Sequence, residues 1–246
     1  MTPLDLDDDA RVLVLTGAGA SADSGIPTFR DAKGLWRTHR FEDVASPDAF
    51  RRDPTLVWQF YSERRAGVLK AQPNAGHFAL AKLEAKLGND FLLATQNVDG
   101  LHGRAGSERL LEIHGNLLKT RCASCRRAPF EDHDVYDESP PFCGECEARG
   151  KTALLRPHIV WFGENLDPEH LRRIEFFMVD SGKRLRFVAI GTSGNVWPAA
   201  GLVDIARRVG GRSWLVNAEP AANTSAFDHF VCGKSAEVLP EFLGVS

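Results

Sequence analysis

The chain has 246 residues, 43% of them hydrophobic and 26% charged, and its 30 Lys and Arg against 33 Asp and Glu leave a formal charge of −3. That composition is globular, long enough for a large core plus a small second unit, and without the basic excess of a nucleic-acid footprint. The acidic start Met1-Thr2-Pro3-Leu4-Asp5-Leu6-Asp7-Asp8-Asp9 lacks the basic and apolar regions of a signal peptide, and no stretch approaches the ~18 apolar residues of a membrane span, so a cytoplasmic protein with no membrane association is expected.

The mostly apolar run Arg11–Thr16 ends in Gly17-Ala18-Gly19 and predicts a buried parallel strand feeding a glycine turn. Asp53-Pro54 opens a predicted helix to about Ala71, with proline suited to the first turn, and Asn74 is placed to cap a second from Ala75 to Leu87. Phe91–Thr95 and Leu110–Ile113 read as further buried strands. A cysteine-rich stretch from Cys122 to Cys146 follows, poor in large aliphatics. Pattern resumes with a helix near Asp167–Val179, a strand at Arg186–Ile190, a helix from Pro198 to Val209, a strand at Ser213–Asn217 and a helix at Ser235–Phe242. Strands alternating with helices predict an α/β protein with a Rossmann-like parallel sheet, whose ligands bind at the carboxyl ends of the strands. Polar clusters fall at those ends, and there is no internal repeat.

Four of the five cysteines form Cys122-x-x-Cys125 and Cys143-x-x-Cys146, with 17 residues between the pairs. In a reducing compartment such spacing predicts four thiolates closing around one zinc ion, and a closed four-sulfur site leaves no open position for catalysis. The weakly apolar segment between the pairs is expected to depend on metal to fold. Cys232 reads as a buried small residue.

Gly17-x-Gly19 alone is a weak signal of a nucleotide loop, with a ligand-free tight turn as the plain alternative, because Ala22 interrupts the full glycine fingerprint. Small residues there still permit close approach of a pyrophosphate, and a helix N-terminus following them would favour its charge. The longer run Gly17–Arg30 (GAGASADSGIPTFR) resembles the first signature of the sirtuin family. Thr95-Gln96-Asn97-Val98-Asp99-Gly100-Leu101-His102 resembles the second, and Glu112-Ile113-His114-Gly115 the catalytic histidine motif. Arg156–Glu164 resembles the substrate strand, and Gly191-Thr192-Ser193 and Asn217-Ala218-Glu219 the later cofactor motifs. Order and spacing fit over nearly the whole chain. Ala20 stands where isoleucine is common and Asp23 where glutamate is common.

The resemblance implies an NAD-dependent protein-lysine deacylase that transfers the acyl group to ADP-ribose and releases nicotinamide. It divides the chain into a Rossmann-like NAD-binding domain (1–32, 75–117 and 152–246), with a helical insertion (33–74) and a zinc-binding module (118–151) forming the small domain. His114 is implied as the base that activates a ribose hydroxyl, a role that suits a side chain titrating near neutrality. Asn97 is implied to orient the ribose and Asp99 to contact the carboxamide, where an Asx turn is the plain structural alternative. His102 reads as structural. The implied cofactor set adds Gly17, Ala18, Gly19, Ala22, Asp23, Phe29, Arg30, Trp36, Gln96, Val98, Gly191, Thr192, Ser193, Asn217, Ala218, Glu219 and Ala236. Substrate peptide is implied to lie as an added strand between Val160–Glu164, including Phe162 and Gly163, and the segment Gly194-Asn195-Val196.

Tyr61 and Arg64 share a helix face at i, i+3, and a phenol with a guanidinium can grip a carboxylate. By composition alone a core aromatic beside a solvated arginine is the commoner arrangement. Tyr-x-x-Arg at this place resembles the sirtuin subgroup that removes succinyl and malonyl groups, and Ala45 resembles the small residue that leaves room for the longer acid. Protein mono-ADP-ribosyl transfer, a plain deacetylase, a hydride-transferring dehydrogenase and a zinc-ribbon nucleic-acid module are the alternatives. The incomplete glycine fingerprint disfavours the dehydrogenase. The carboxylates Glu131, Asp132, Asp134, Asp137 and Glu138 between the cysteine pairs disfavour the zinc ribbon.

Overall fold

A computed structural model describes residues 2–27, 41–194 and 201–245. Its elements begin with β1 (Arg11–Thr16), α1 (Phe41–Val44), α2 (Pro47–Arg52), α3 (Pro54–Lys70), α4 (Ala75–Leu87), β2 (Phe91–Thr95), α5 (Leu101–Arg104) and β3 (Leu110–Glu112). Then come β4 (Gly115–Cys122), β5 (Phe130–Glu131), α6 (Gly144–Glu147) and β6 (Leu155–Ile159). The chain finishes with α7 (Pro168–Ser181), β7 (Leu185–Ile190), α8 (Leu202–Arg208), β8 (Arg212–Asn217), β9 (His229–Cys232) and α9 (Ser235–Phe242).

Six strands form one parallel sheet in the order β3-β2-β1-β7-β8-β9. Both faces are covered, which is why its strands read as near-continuous apolar runs. Leu13, Leu15, Phe187 and Ala189 face α7 and α8 through Ile174, Phe177, Met178 and Val203. Their neighbours Val12, Val14, Val188 and Ile190 face the opposite way, against Leu80 and Leu83 of α4 and Leu239 and Phe242 of α9. The caps are those the sequence announces. Asp53 accepts from Leu56 N–H at 2.9 Å, and the Asn74 side chain accepts from Gly76 N–H at 3.0 Å and His77 N–H at 3.4 Å.

A second, antiparallel sheet has the order β5-β4-β6 and packs against α3, where Val57, Trp58, Phe60 and Tyr61 meet Leu117, Leu118 and three of the cysteines. Trp58 Nε1 donates to the Leu155 carbonyl at 3.0 Å. The buried Arg65 guanidinium reaches from α3 to Leu117 O at 2.8 Å, Asp134 O at 2.6 Å, Thr120 Oγ1 at 3.0 Å and the Asp132 carboxylate at 3.3 Å.

Two local expectations need correction. The glycine turn is followed by a 3-10 helix, Ala18–Ser24, with no α-helical N-terminus behind it. The run expected to extend through Val160–Glu164 leaves the sheet at Ile159 and turns over Phe162–Glu164, with Gly163 at φ +88 and Glu164 N–H bonded to Trp161 O at 2.9 Å. The Glu164 carboxylate closes that turn by accepting Trp161 N–H at 2.9 Å.

Candidate active site and metal centre

The carboxyl ends of the parallel strands open into a cleft of about 1680 Å³. Strand order changes direction across β1 and β7, and the loops leaving those two strands interlock there, as expected of a switch point. Gly17 N–H bonds Ile190 O at 2.9 Å and Gly19 N–H bonds Gly191 O at 2.8 Å. A Cβ on Gly19 would lie 2.7 Å from Gly191 Cα, and one on Gly191, at φ +63, would lie 2.3 Å from Ala20 N. The Gly17-x-Gly19 pattern is therefore required by loop-on-loop contact as well as by any ligand above it.

The motifs that were far apart in sequence line this one cleft. Gly17, Ala18, Gly19, Ala22 and Asp23 come from the segment after β1, and Gln96, Asn97, Val98 and Asp99 from that after β2. His114 follows β3, Gly191, Thr192 and Ser193 follow β7, and Asn217 ends β8 with Ala218 and Glu219 after it. Ala45, Tyr61, Arg64, Val160, Phe162, Gly163 and Glu164 line the opposite side. Gly194 and Ala236 are not among the described lining residues. Phe29, Arg30, Trp36, Asn195 and Val196 lie outside the described residues.

His114 sits between β3 and β4, held by Val160 N–H bonding its carbonyl at 2.9 Å. Its Nδ1 is 3.0 Å from Gln96 O, and a carbonyl only accepts, so Nδ1 carries the proton and the lone pair is on Nε2. Burial lowers the His114 pKa below 6.5, against the opposing pull of the Gln96 carbonyl, which favours the neutral ring at neutral pH. Gly115, at φ +86, lets the chain turn directly behind it where a Cβ would strike His158 O at 2.0 Å.

Asn97 is held by two chains of buried polar groups that motif reading did not find. Asn74 N–H donates to His77 Nδ1 at 3.1 Å, so the proton of the neutral His77 ring is on Nε2, which donates to Ser21 Oγ at 3.3 Å. Asn97 Nδ2 donates to the same oxygen at 3.1 Å. In the second chain Thr16 Oγ1 donates to Thr95 Oγ1 at 2.7 Å, which fixes His102 Nε2, 2.9 Å from Thr16 Oγ1, as a donor. Thr95 Oγ1 also accepts Asn97 N–H at 3.0 Å. Burial pushes His77 down to about 4 and His102 to about 3, so both rings are neutral. Asp99 accepts Leu101 N–H at 2.9 Å, the Asx turn foreseen as its plain alternative, while lining the cleft, and burial raises its pKa. The only available sequence signal for the His77 chain is Asn74-x-x-His77, a capping box with histidine as the reciprocal acceptor.

On the opposite side Tyr61 is buried beside Trp161, with ring centroids 6.4 Å apart, and burial pushes its phenol up to about 12. Arg64, one turn on, is half-buried, and burial lowers its pKa against the pull of Tyr61. Ala45 accepts Phe162 N–H through its carbonyl at 3.0 Å. Glu164 is bound up in the wall of the cleft: Arg156 Nη1 and Nη2 donate to its two oxygens at 2.6 and 2.9 Å, and Arg121 Nη2 approaches at 3.4 Å. Burial raises the Glu164 pKa but these arginines outweigh it, and the net shift is downward.

Cys122, Cys125, Cys143 and Cys146 bring their sulfurs within 4.8 Å of one another. Cys122 and Cys146 Sγ are 3.8 Å apart and Cys125 and Cys143 Sγ 3.9 Å. A zinc tetrahedron with Zn–S bonds of ~2.3 Å implies sulfur pairs roughly 3.8 Å apart. Ser124 and Cys125 N–H both point at Cys122 Sγ at 3.3 Å, the donor arrangement a metal thiolate needs. The four cysteines fit a closed, structural zinc site. The fifth, Cys232, is exposed rather than buried, because β9 is the sheet's outer strand and its last residue emerges at the rim.

A family model described as the Sir2 family matches residues 17–198. The NAD-dependent protein deacylase of Pasteurella multocida (strain Pm70) is 46% identical over 235 residues, which cover 95% of this chain and 96% of that one. A Sir2 homologue solved with NAD superposes with a TM-score of 0.86 at 39% identity, covering 99% of this chain and 95% of that one. A Sir2 homologue mutant solved with ADP-ribose gives 0.86 at 41% identity, covering 95% and 90%. With its glycine-loop cleft, its histidine between the two sheets and its four-cysteine cluster, this chain belongs to the Sir2 family, the sirtuins.

Proposed function

We propose that this chain removes acyl groups from protein lysines at the expense of NAD, that His114 is its general base, and that acidic acyl groups such as succinyl and malonyl are among its substrates. NAD-dependent deacylation follows from membership of the family and from relatives that carry that activity in their names, matched over 84–96% of their length. NAD, when bound, offers an ADP-ribosyl carbon to the acyl oxygen as nicotinamide departs.

The chain's own residues suit the remaining tasks. A neutral His114 with its lone pair on Nε2 can take a proton from a hydroxyl held in the cleft. Asn97, anchored through both main chain and side chain, is rigid enough to orient a ribose. The observation that carries the acyl preference is that Tyr61 and Arg64 line the same cleft as His114, beside the small Ala45. A guanidinium stays charged even when partly desolvated, and a phenol raised to about 12 remains a neutral donor. A carboxylate entering a buried channel unpaired is costly, and these two groups would offset that cost. An acetyl group gains nothing from either.

One peptide carrying acetyl- or succinyl-lysine tests this. Arg64→Met should raise KM for the succinyl peptide about ten- to a hundredfold and leave the acetyl peptide within about threefold, since loss of one charge-assisted bond is worth roughly 1.5–3 kcal/mol. Equal loss of both activities would reduce Arg64 to a structural residue and the enzyme to a plain deacetylase.

A further inference from the structure

We infer that Lys234, on the segment joining β9 to α9, is a cofactor-binding residue that exchanges an ion pair with Asp23 for the diphosphate of NAD. The inference rests on the NAD-dependent reading above and adds a residue that no motif of the sequence singled out. Among the described residues lining the cleft, the lysine and arginine side chains are Arg64 and Lys234, against the carboxylates of Asp23, Glu63, Asp99, Glu164 and Glu219. Arg64 stands beside Tyr61 on α3, on the acyl side. Lys234 stands over the other end.

The glycine loops offer a diphosphate less than their sequence suggests. Gly17, Gly19, Ala20 and Gly191 N–H groups already bond Ile190 O, Gly191 O, Gly17 O and Val216 O at 2.8–3.0 Å. Those four N–H groups are not available to a diphosphate, and among the described residues Lys234 is the cation beside this loop, within reach of its Asp23. Lys234 is held there. Gly233 N–H bonds Asn217 O at 3.0 Å, and Ser235 Oγ donates to Ala20 O at 3.2 Å, so its backbone is tied both to the end of β8 and to the glycine loop. Its ammonium spans to Asp23 at 3.5 Å and to Glu237 at 3.7 Å, and the side chain is 58% exposed. Long, exposed ion pairs contribute little stability, and an ammonium on a four-carbon stem reorients freely. A diphosphate brings more charge to the ammonium than Asp23 does, so exchange is favourable without movement of the backbone.

The test is a charge ladder at one position, read as the Kd for NAD by calorimetry across a range of KCl. Lys234→Arg should bind NAD within about twofold of the wild type, Lys234→Met roughly three- to tenfold more weakly, and Lys234→Glu more weakly again. Lys234→Met should also flatten the rise of Kd with salt. The affinity for acyl-peptide should be unchanged throughout. Equal NAD affinity in the Met and Glu variants, or losses that ignore the order of charge, would overturn the role of Lys234 while leaving the deacylase reading intact. A wild-type protein that does not bind NAD would overturn both.

Discussion

The two sheets of this molecule are stabilised by different means. The parallel sheet buries two apolar faces, with Leu13 and Phe187 on one and Val14 and Leu83 on the other fully enclosed. The antiparallel sheet has a two-residue edge strand and a register break between Asn116 and Thr120, and its interior is completed by sulfur and by an ion pair. Arg65 of α3 and Asp132 just after β5, 1% and 4% exposed, form that buried pair. A sheet flanked by two apolar faces needs no ligand to fold, whereas a region whose core includes three of four clustered cysteines is expected to need its metal.

The largest expected effect separates the two directly. Replacing Cys146 by Ser should abolish zinc binding and unfold the segment from Cys122 to Cys146, since metal affinity in such modules is folding free energy. Hydrogen exchange should then show lost protection in β4–β6 with strands β1, β7 and β8 still protected. Uniform loss across both sheets would show that the parallel sheet does not stand by itself.

His114 joins the two regions, ending the segment from β3 and beginning that into β4. His114→Ala should lower kcat by about 10²–10⁴-fold with NAD affinity retained. Its lowered pKa also gives a sign. As the proposed base, His114 would act when neutral, so activity should persist to a pH below the 6.5 of an ordinary histidine before protonation removes it. A pH profile falling already above neutrality would contradict that environment.

Arg65→Met removes one partner of the buried pair and strands Asp132. Thermal and denaturant unfolding should show a loss of roughly 3–5 kcal/mol, larger than truncation of a surface ion pair. Acid is expected to act through the buried histidines beside the parallel sheet. His77 and His102 have folded pKa values of about 4 and about 3 against 6.5 unfolded, so the unfolded chain binds more protons below neutrality. Their contribution is fully present above pH 6.5 and is lost progressively as pH falls toward 4. Unfolding free energy that stays flat from pH 7 to 5 would contradict neutral, buried rings.

The contrast between the regions also explains what was legible in the sequence. Strands β1, β2, β7 and β8 and the helices α3, α4 and α9 announce themselves through apolar runs and through Asp53 and Asn74 caps. The cysteine spacing specifies the metal centre, and the motif clusters specify one rim of the sheet. Strands β4, β6 and β9 do not, because each lacks such a run: β4 mixes Asn116, Lys119, Thr120 and Arg121 with its leucines, and β9 is largely exposed. The turn at Phe162–Glu164 depends on Arg156 and Trp161 meeting Glu164, which no local pattern encodes. Cys232 ends β9, and only the order of strands reveals that this strand is an edge. The Ser21–His77 and Thr16–His102 chains join residues 56 and 86 positions apart and were beyond any reading of spacing.

The central claim is tested most directly by following one succinyl-lysine peptide with and without NAD by mass spectrometry. The expected result is unmodified lysine, nicotinamide and acyl-ADP-ribose formed in equal amounts, and no reaction without NAD. ADP-ribose attached to protein, or lysine left succinylated while NAD is consumed, would contradict the account.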